Sequence, residues 1–344
     1  MSKYFILTLS ILLVLSCQNK KQWTHNDFFE QAFNIIEERS IKKSEIDWEV
    51  LKRTVTDSIS HFQNNEDVYR AIGYIVSLID DGHSVFVSPQ TPNNFTADAL
   101  PIPDIDTKII DEDIAYIKLT GFIANVENSR IYSRRIRESL YELDRSSTIT
   151  GWIIDLRENM GGMASMMPLG LAPMFQDSLI GYWMNNKGEY FSEYCTNEYF
   201  RFEDRMVEKN SALNFDLLNK DRPIAVLMSD RTASAGESLA ASFKFQNNTM
   251  TFGTPTKGLT SALELMEFNS NAKLFLATMY LCSRDKKIID RGLNPDVACS
   301  SERAYELAIK WLKLKTPGDS AYLQQNSDLS ESAPVARAAP TQFR

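Results

Sequence analysis

The spacing of apolar residues changes between Ile79 and Val85, and that change sets the class of fold. Before it the pattern is helical: Phe29, Phe33 and Ile36 share one face, as do Trp48, Leu51 and Val55, and then Val68, Ile72, Ile75 and Ile79. Three amphipathic helices in a small bundle are expected, with Ser44 and Asp47 placed to cap the second and Asn65 or Asp67 the third. After it come apolar runs of strand length at 84–88, 114–119, 152–156, 223–228, 262–268 and 274–282, which read as a mixed sheet. Helical spacing returns at Tyr132, Ile136, Leu140 and Leu143, after Ser234, and at Ala304, Leu307, Ala308 and Trp311. The expected architecture is α/β, a mixed-sheet core preceded by an N-terminal helical bundle.

The ends of the chain follow other rules. Tyr4 to Leu15 form an apolar run behind a short basic start, too short to cross a membrane but suited to a signal-peptide core. It ends Val14-Leu15-Ser16-Cys17, which resembles a bacterial lipoprotein box. That resemblance makes Cys17 the lipid attachment site and places the protein in the cell envelope, anchored to a membrane and facing the periplasm or exterior. Residues 1–17 are thus read as an address, 18–80 as a helical subdomain and 81–315 as the core. Residues 316–344, rich in Ser, Ala, Gln and Pro, hold too few large apolar groups to offset the entropy of ordering and are read as a disordered tail.

Charge and composition remove several functions. Of 344 residues 43% are hydrophobic, enough for a sizeable core, and the net charge of −8 repels phosphate backbones, so no nucleic-acid partner is expected. Three histidines and four cysteines form no CxxC, HExxH or other metal-ligand spacing, so neither metal nor cofactor is expected. Without Cys17, an odd set of thiols remains, Cys195, Cys282 and Cys299, so at least one is free or pairs outside the chain. Six of the twelve methionines lie between Met160 and Met184, within or beside the long 163–222 stretch between core strands. They suit either a soft apolar wall for a bound peptide or core beneath a helix starting at Met163.

Three segments carry reactive chemistry. In Pro223–Glu237 a buried strand, a short turn and a helix beginning at Ser234 place a hydroxyl at a positive helix end. There the amide of Ala235 can stabilise an oxyanion, although Ser234 with Glu237 is equally a capping box. In Trp152–Gly162 a buried strand ends in a polar turn and paired glycines, Gly161 and Gly162, whose amides could supply a second oxyanion donor. Asp155 and Arg157 suit a structural ion pair. In Asp80–Phe86, His83 sits beside a glycine where bundle meets sheet, whereas His25 and His61 lie on polar stretches. A serine hydroxyl is a poor nucleophile until a neighbouring base takes its proton, and imidazole titrates near the working pH.

Taken together, these segments resemble the C-terminal-processing (tail-specific) serine peptidases and their relatives around the tricorn core. The matching residues are Asp-Gly-His-Ser at 81–84, Asp-Leu-Arg-Glu-Asn-Met-Gly-Gly at 155–162, Thr-Ala-Ser-Ala-Gly-Glu at 232–237, Gly-Thr-Pro-Thr-Lys-Gly at 253–258 and Arg-Gly-Leu-Asn-Pro-Asp at 291–296. The resemblance implies a crotonase-like ββα core, Ser234 as nucleophile, and an oxyanion hole from the amides of Ala235 and of Gly161 or Gly162. Asp155, Arg157, Asn159 and Glu237 then support the motifs. It offers two bases, His83 as in tricorn-like members or Lys257 as in the lysine-using ones. Only about seventy residues separate His83 from Asp155, too few for a PDZ domain besides the elements already placed there, which favours histidine. The acid that would orient the histidine falls on Asp290, one position displaced and one methylene shorter than the usual glutamate. The implied function is an envelope serine endopeptidase cutting unstructured or C-terminal protein segments, with the 163–222 insertion available for substrate selection. The alternative is a lipoprotein of the same fold that binds peptides or lipids without cleaving them.

Overall fold

The computed structural model describes residues 24–58, 62–90, 101–146, 148–268 and 271–315. Cys17 and the signal segment, His61, and the 316–344 tail lie outside the described residues.

Three helices, α1 (His25–Arg39), α2 (Trp48–Ser58) and α3 (Asn65–Ile79), form where the periodicity requires them, and all ten face residues named above are buried. Thr24 closes a capping box with Asp27 at the head of α1, and Asp47 accepts from the Val50 amide at the head of α2. The cap of α3 is Asn64, one residue before the expected Asn65; its side chain accepts from the Asp67 amide. The bundle packs as one apolar cluster with Phe268, Ala272, Leu274 and Leu276.

The strands that follow divide between two sheets instead of filling one. A seven-stranded antiparallel sheet contains β1 (Val85–Val87), β5 (Leu179–Asn185), β6 (Tyr190–Cys195), β7 (Tyr199–Phe202), β8 (Arg205–Lys209), β11 (Ser261–Glu267) and β12 (Lys273–Cys282). A six-stranded sheet contains β2 (Asp106–Ile110), β3 (Ile114–Lys118), β4 (Gly151–Asp155), β9 (Ile224–Met228), β10 (Thr249–Gly253) and β13 (Val297–Ala298), in the order β13-β10-β9-β4-β3-β2. All its pairings are parallel except β2 with β3.

Both faces of this second sheet are covered, which is why its strands read as unbroken apolar runs. Ala115, Ile117, Trp152, Ile154, Val226 and Met228 face a core shared with α4 (Val126–Ser146), α6 (Ala235–Lys244) and the seven-stranded sheet. The alternate residues Ile114, Tyr116, Ile153, Ala225 and Leu227 face Ala304, Ala308 and Leu312 of α7 (Ser301–Lys315). The 163–222 stretch supplies a short helix α5 (Met166–Gly170), a 3-10 turn and strands β5 to β8. Met166, Met167 and Met174 are core residues there, and the helix starts at Met166, not Met163, because Gly162 is still bridged to Phe122. Cys195, Cys282 and Cys299 are all free thiols.

Leu274 is fully buried in the joint between bundle and sheet. Leu274→Ala is expected to cost ~2–5 kcal/mol in urea unfolding monitored by circular dichroism, as one cooperative transition. A loss well under 1 kcal/mol would show that the bundle contributes little to the stability of the core.

Candidate active site

Strands β4 and β9 are parallel neighbours, so the turns that leave their carboxyl ends must meet, and ligand sites in α/β sheets form at such ends. The two turns are stitched together. Thr232 Oγ1 donates to the Leu156 carbonyl (2.8 Å), Ser229 Oγ to that of Arg157 (2.6 Å), and the Ala233 amide to that of Asn159 (2.9 Å). Ser234 follows with φ 53° and ψ −120°, a left-handed conformation that costs a non-glycine residue ~1–3 kcal/mol, and α6 starts at the next residue. This sharp strand-to-helix turn leaves Ser234 half-buried, with the Ala235 amide in the helix's unpaired first turn.

Gly161 and Gly162 adopt φ of 101° and 135°. A Cβ on Gly161 would lie 2.9 Å from the Ser234 Cβ and 3.2 Å from the Ala235 nitrogen; only glycine lets the main chain approach the serine this closely. Its amide donates to the Asn159 side-chain oxygen (3.0 Å), while the Asn159 side-chain nitrogen donates to the Leu119 carbonyl (3.2 Å). Asn159 is fully buried and holds the turn from within. Asp155, also buried, receives Arg157 through several bonds, the shortest 2.6 Å, and the Tyr116 hydroxyl at 2.8 Å. Burial works to raise the Asp155 pKa, but the Arg157 bonds outweigh it and hold the carboxyl below the usual carboxylate range. Arg157 continues to the Ser301 carbonyl at 2.6 Å, so this pair ties the turn to α7.

Glu237 does more than cap α6. Its carboxylate has no exposed surface and accepts from four donors: the Ser234 amide (2.9 Å), Thr256 Oγ1 (2.5 Å), the Gly258 amide (2.8 Å) and the Leu259 amide (2.8 Å). The loop after β10 is thereby fastened to the Ser234 turn. The 291–296 segment locks onto the same loop through Thr256, whose amide donates to the Leu293 carbonyl (3.0 Å) and whose hydroxyl accepts from the Leu293 amide (2.8 Å).

His83 lies on the turn between α3 and β1. Asp81 shapes this turn by accepting from the His83 and Ser84 amides (2.9 and 2.7 Å) and the Ser84 hydroxyl (2.5 Å). Ser84 Oγ in turn accepts from the Ala277 amide of β12 (2.9 Å). The imidazole Nδ1 is 2.8 Å from Ser261 Oγ, at the start of β11 and three residues past Gly258. Burial lowers the His83 pKa below 6.5, more than the Asp81 charge and a bond to the Ser261 main chain raise it.

The residues expected from sequence therefore fall into two groups. Ser234, Ala235, Gly161, Asn159 and Glu237 converge, and His83 meets the loop that Glu237 anchors; among the described residues its ring bonds Ser261 and not Ser234. Lys257 is exposed, fixed only through its main chain, whose amide donates to the Thr232 carbonyl (2.9 Å). Asp290 is 60% exposed, with Arg291 Nε 3.6 Å away. His25, at the first position of α1, belongs to the bundle. Residues 172–220 line a separate cleft of about 480 Å³ that includes Phe175, Cys195, Asn197 and Tyr199 but none of the motif residues. Ser261 had no signal in the sequence, and Thr256 only its place inside a motif.

A hydroxyl at a strained strand-to-helix turn, pressed against glycine main chain at the ends of parallel strands, is the arrangement of a nucleophile turn. The chain belongs to peptidase family S41: the family model matches residues 113–299, more than half of its length. It is similar to the nisin-resistance protein of Lactococcus lactis subsp. lactis, 25% identical over 205 residues, 59% of this chain and 61% of that protein. It is also similar to a carboxy-terminal-processing protease of Bartonella bacilliformis, 25% identical over 193 residues, 55% of this chain and 39% of that one. The matched stretch spans less than two thirds of either relative. Among solved structures, a lipoprotein from Streptococcus agalactiae shares the fold with a TM-score of 0.72 at 20% identity, over 86% of this chain and 98% of that one. The photosystem II D1 C-terminal processing protease does so with a TM-score of 0.57 at 14% identity, over 81% and 94%. The α/β core with its helical N-terminal region is thus the S41 protease fold. No helix among the described residues is long and apolar enough to cross a membrane.

Glu237→Gln turns one acceptor oxygen into a donor facing buried donors, and each group left unpaired costs ~1–3 kcal/mol. The variant should unfold at lower urea, with faster hydrogen exchange at the 256–259 amides; unchanged exchange there would mean the carboxylate does not hold the loop.

Proposed function

We propose that the protein is a serine endopeptidase in which Ser234 is the nucleophile and His83 the general base. The observation that carries this reading is the Ser234 turn itself, strained, half-buried and abutted by the Gly161 main chain. His83 takes the hydroxyl proton as Ser234 Oγ attacks a peptide carbonyl, and the tetrahedral oxyanion is held by main-chain amides. The proton then passes to the leaving amine, and water hydrolyses the acyl-enzyme. The Gly161 amide is engaged by Asn159, which favours Gly162 as the donor that works with Ala235. The exposure of Lys257 speaks against it as base, because a lysine must be desolvated before it accepts a proton near neutrality.

The substrates in this reading are unstructured or C-terminal segments of proteins, consistent with the processing proteases among its relatives. The setting is the cell envelope, with Cys17 carrying the lipid anchor; the apolar run before it and the likeness to a lipoprotein support this. The exposure of Asp290 motivates a second reading, a groove that binds peptide without cleaving it. Turnover separates the two: an unfolded protein such as casein should be cut by the wild type and left intact by Ser234→Ala. Stoichiometric binding without cleavage by the wild type supports the second reading. Labelling by a serine-directed phosphonate should vanish in Ser234→Ala with the circular dichroism unchanged, and persistent labelling would exclude this serine.

A neutral imidazole is the active form, and burial lowers its pKa in the fold. The acid limb of kcat/KM should therefore fall through an apparent pKa below the ordinary histidine value of about 6.5. An acid limb above 7 would contradict His83 as base.

A further inference from the structure

We propose that Ser261 is the positioning residue for the His83 imidazole, filling through a hydroxyl the role for which the resemblance supplies a carboxylate. The inference rests on the peptidase reading and names what holds its base. A general base must offer one defined nitrogen, and a ring hydrogen-bonded at Nδ1 is fixed in both rotation and tautomer. Ser261 Oγ lies 2.8 Å from that nitrogen. In this assignment the Ser261 hydroxyl accepts the hydrogen carried on Nδ1. With the Nδ1 hydrogen donated towards Ser261, the lone pair is on Nε2, the nitrogen left to face a substrate-side proton.

Neither Asp81 nor Asp290 takes this role in the observed geometry. Both oxygens of Asp81 are committed to the turn, Oδ1 to two amides and Oδ2 to the Ser84 hydroxyl, so its charge reaches the ring only through space. Asp290 is largely exposed beside Arg291, and its charge also acts on Lys42 and Tyr280. Ser261, in contrast, is rigidly referenced to the nucleophile. It opens β11 in register with Tyr280 of β12, and the preceding Gly258 and Leu259 amides are bound to the same carboxylate that binds the Ser234 amide. One loop thus sets the position of both the hydroxyl and the imidazole.

A neutral partner also has a chemical consequence. A carboxylate would stabilise the imidazolium and raise the ring's pKa, whereas a hydroxyl orients the ring with little charge stabilisation. The base stays weak but remains neutral, and so competent, into mildly acidic solution.

Two measurements on the full chain test this. In kinetics, Ser261→Ala should lower kcat about five- to tenfold with KM little changed, and Ser261→Thr, which keeps the oxygen, should restore most of the loss. In nitrogen-15 NMR of histidine-labelled protein carrying Ser234→Ala, the His83 ring should show the Nδ1–H tautomer. Adding Ser261→Ala should shift it towards Nε2–H, the form a free imidazole prefers, and move its titration midpoint. The NMR arm does not depend on turnover, so failure of the peptidase reading and failure of this inference are told apart. An unchanged tautomer and midpoint in the Ser261→Ala background would overturn the inference. So would a loss of kcat in Asp290→Asn that Ser261→Ala does not share.

Discussion

The carboxylate of Glu237 is the constraint around which the site is arranged. It is buried and forms no ion pair among the described residues; three main-chain amides and one hydroxyl from two separate segments supply the dipoles around its charge. It also lies in the first turn of α6, where the helix dipole favours an anion. An inward-pointing acid in a helix would ordinarily be a liability; here it converts two loops into one rigid body. The strained backbone of Ser234 is tolerable because its own amide is one of the four donors.

The second constraint is topological. Parallel order in the six-stranded sheet puts the carboxyl ends of β4, β9 and β10 side by side, so the 155–162, 229–234 and 254–260 segments have to pack together whatever their sequence. The motifs then decide how closely: Gly161 against Ser234, Gly236 against Asn159, Gly292 against Thr256. Among the described residues the helical bundle enters this arrangement through the turn that follows α3. That turn carries His83 across to β11 and is pinned to β12 by Ser84.

How much of this could be read from residues alone follows from the range of each interaction. Helix faces, the strands and the Ser234 turn were legible, because each is set by neighbours within a few positions. The division into two sheets was not, since an apolar run such as 262–268 or 223–228 records that it is buried and not which strand it pairs with. The α3 cap was missed by one position because Asn64 and Asn65 are chemically equal and only the backbone, extended at Asn64, separates them. Ser261 was invisible: its partner is 178 residues away, and a single serine ahead of Ala-Leu-Glu-Leu carries no signature. Glu237 was visible as a cap, but the Thr256, Gly258 and Leu259 donors that define it come from beyond the helix.

Because Ser234 gains its surroundings from the ends of several strands, no short stretch of the chain carries them by itself. Before the chain has folded, that serine is a hydroxyl in water like any other. On the proposed reading its reactivity arrives with closure of the sheet, which makes the folding equilibrium itself a safety catch on the molecule.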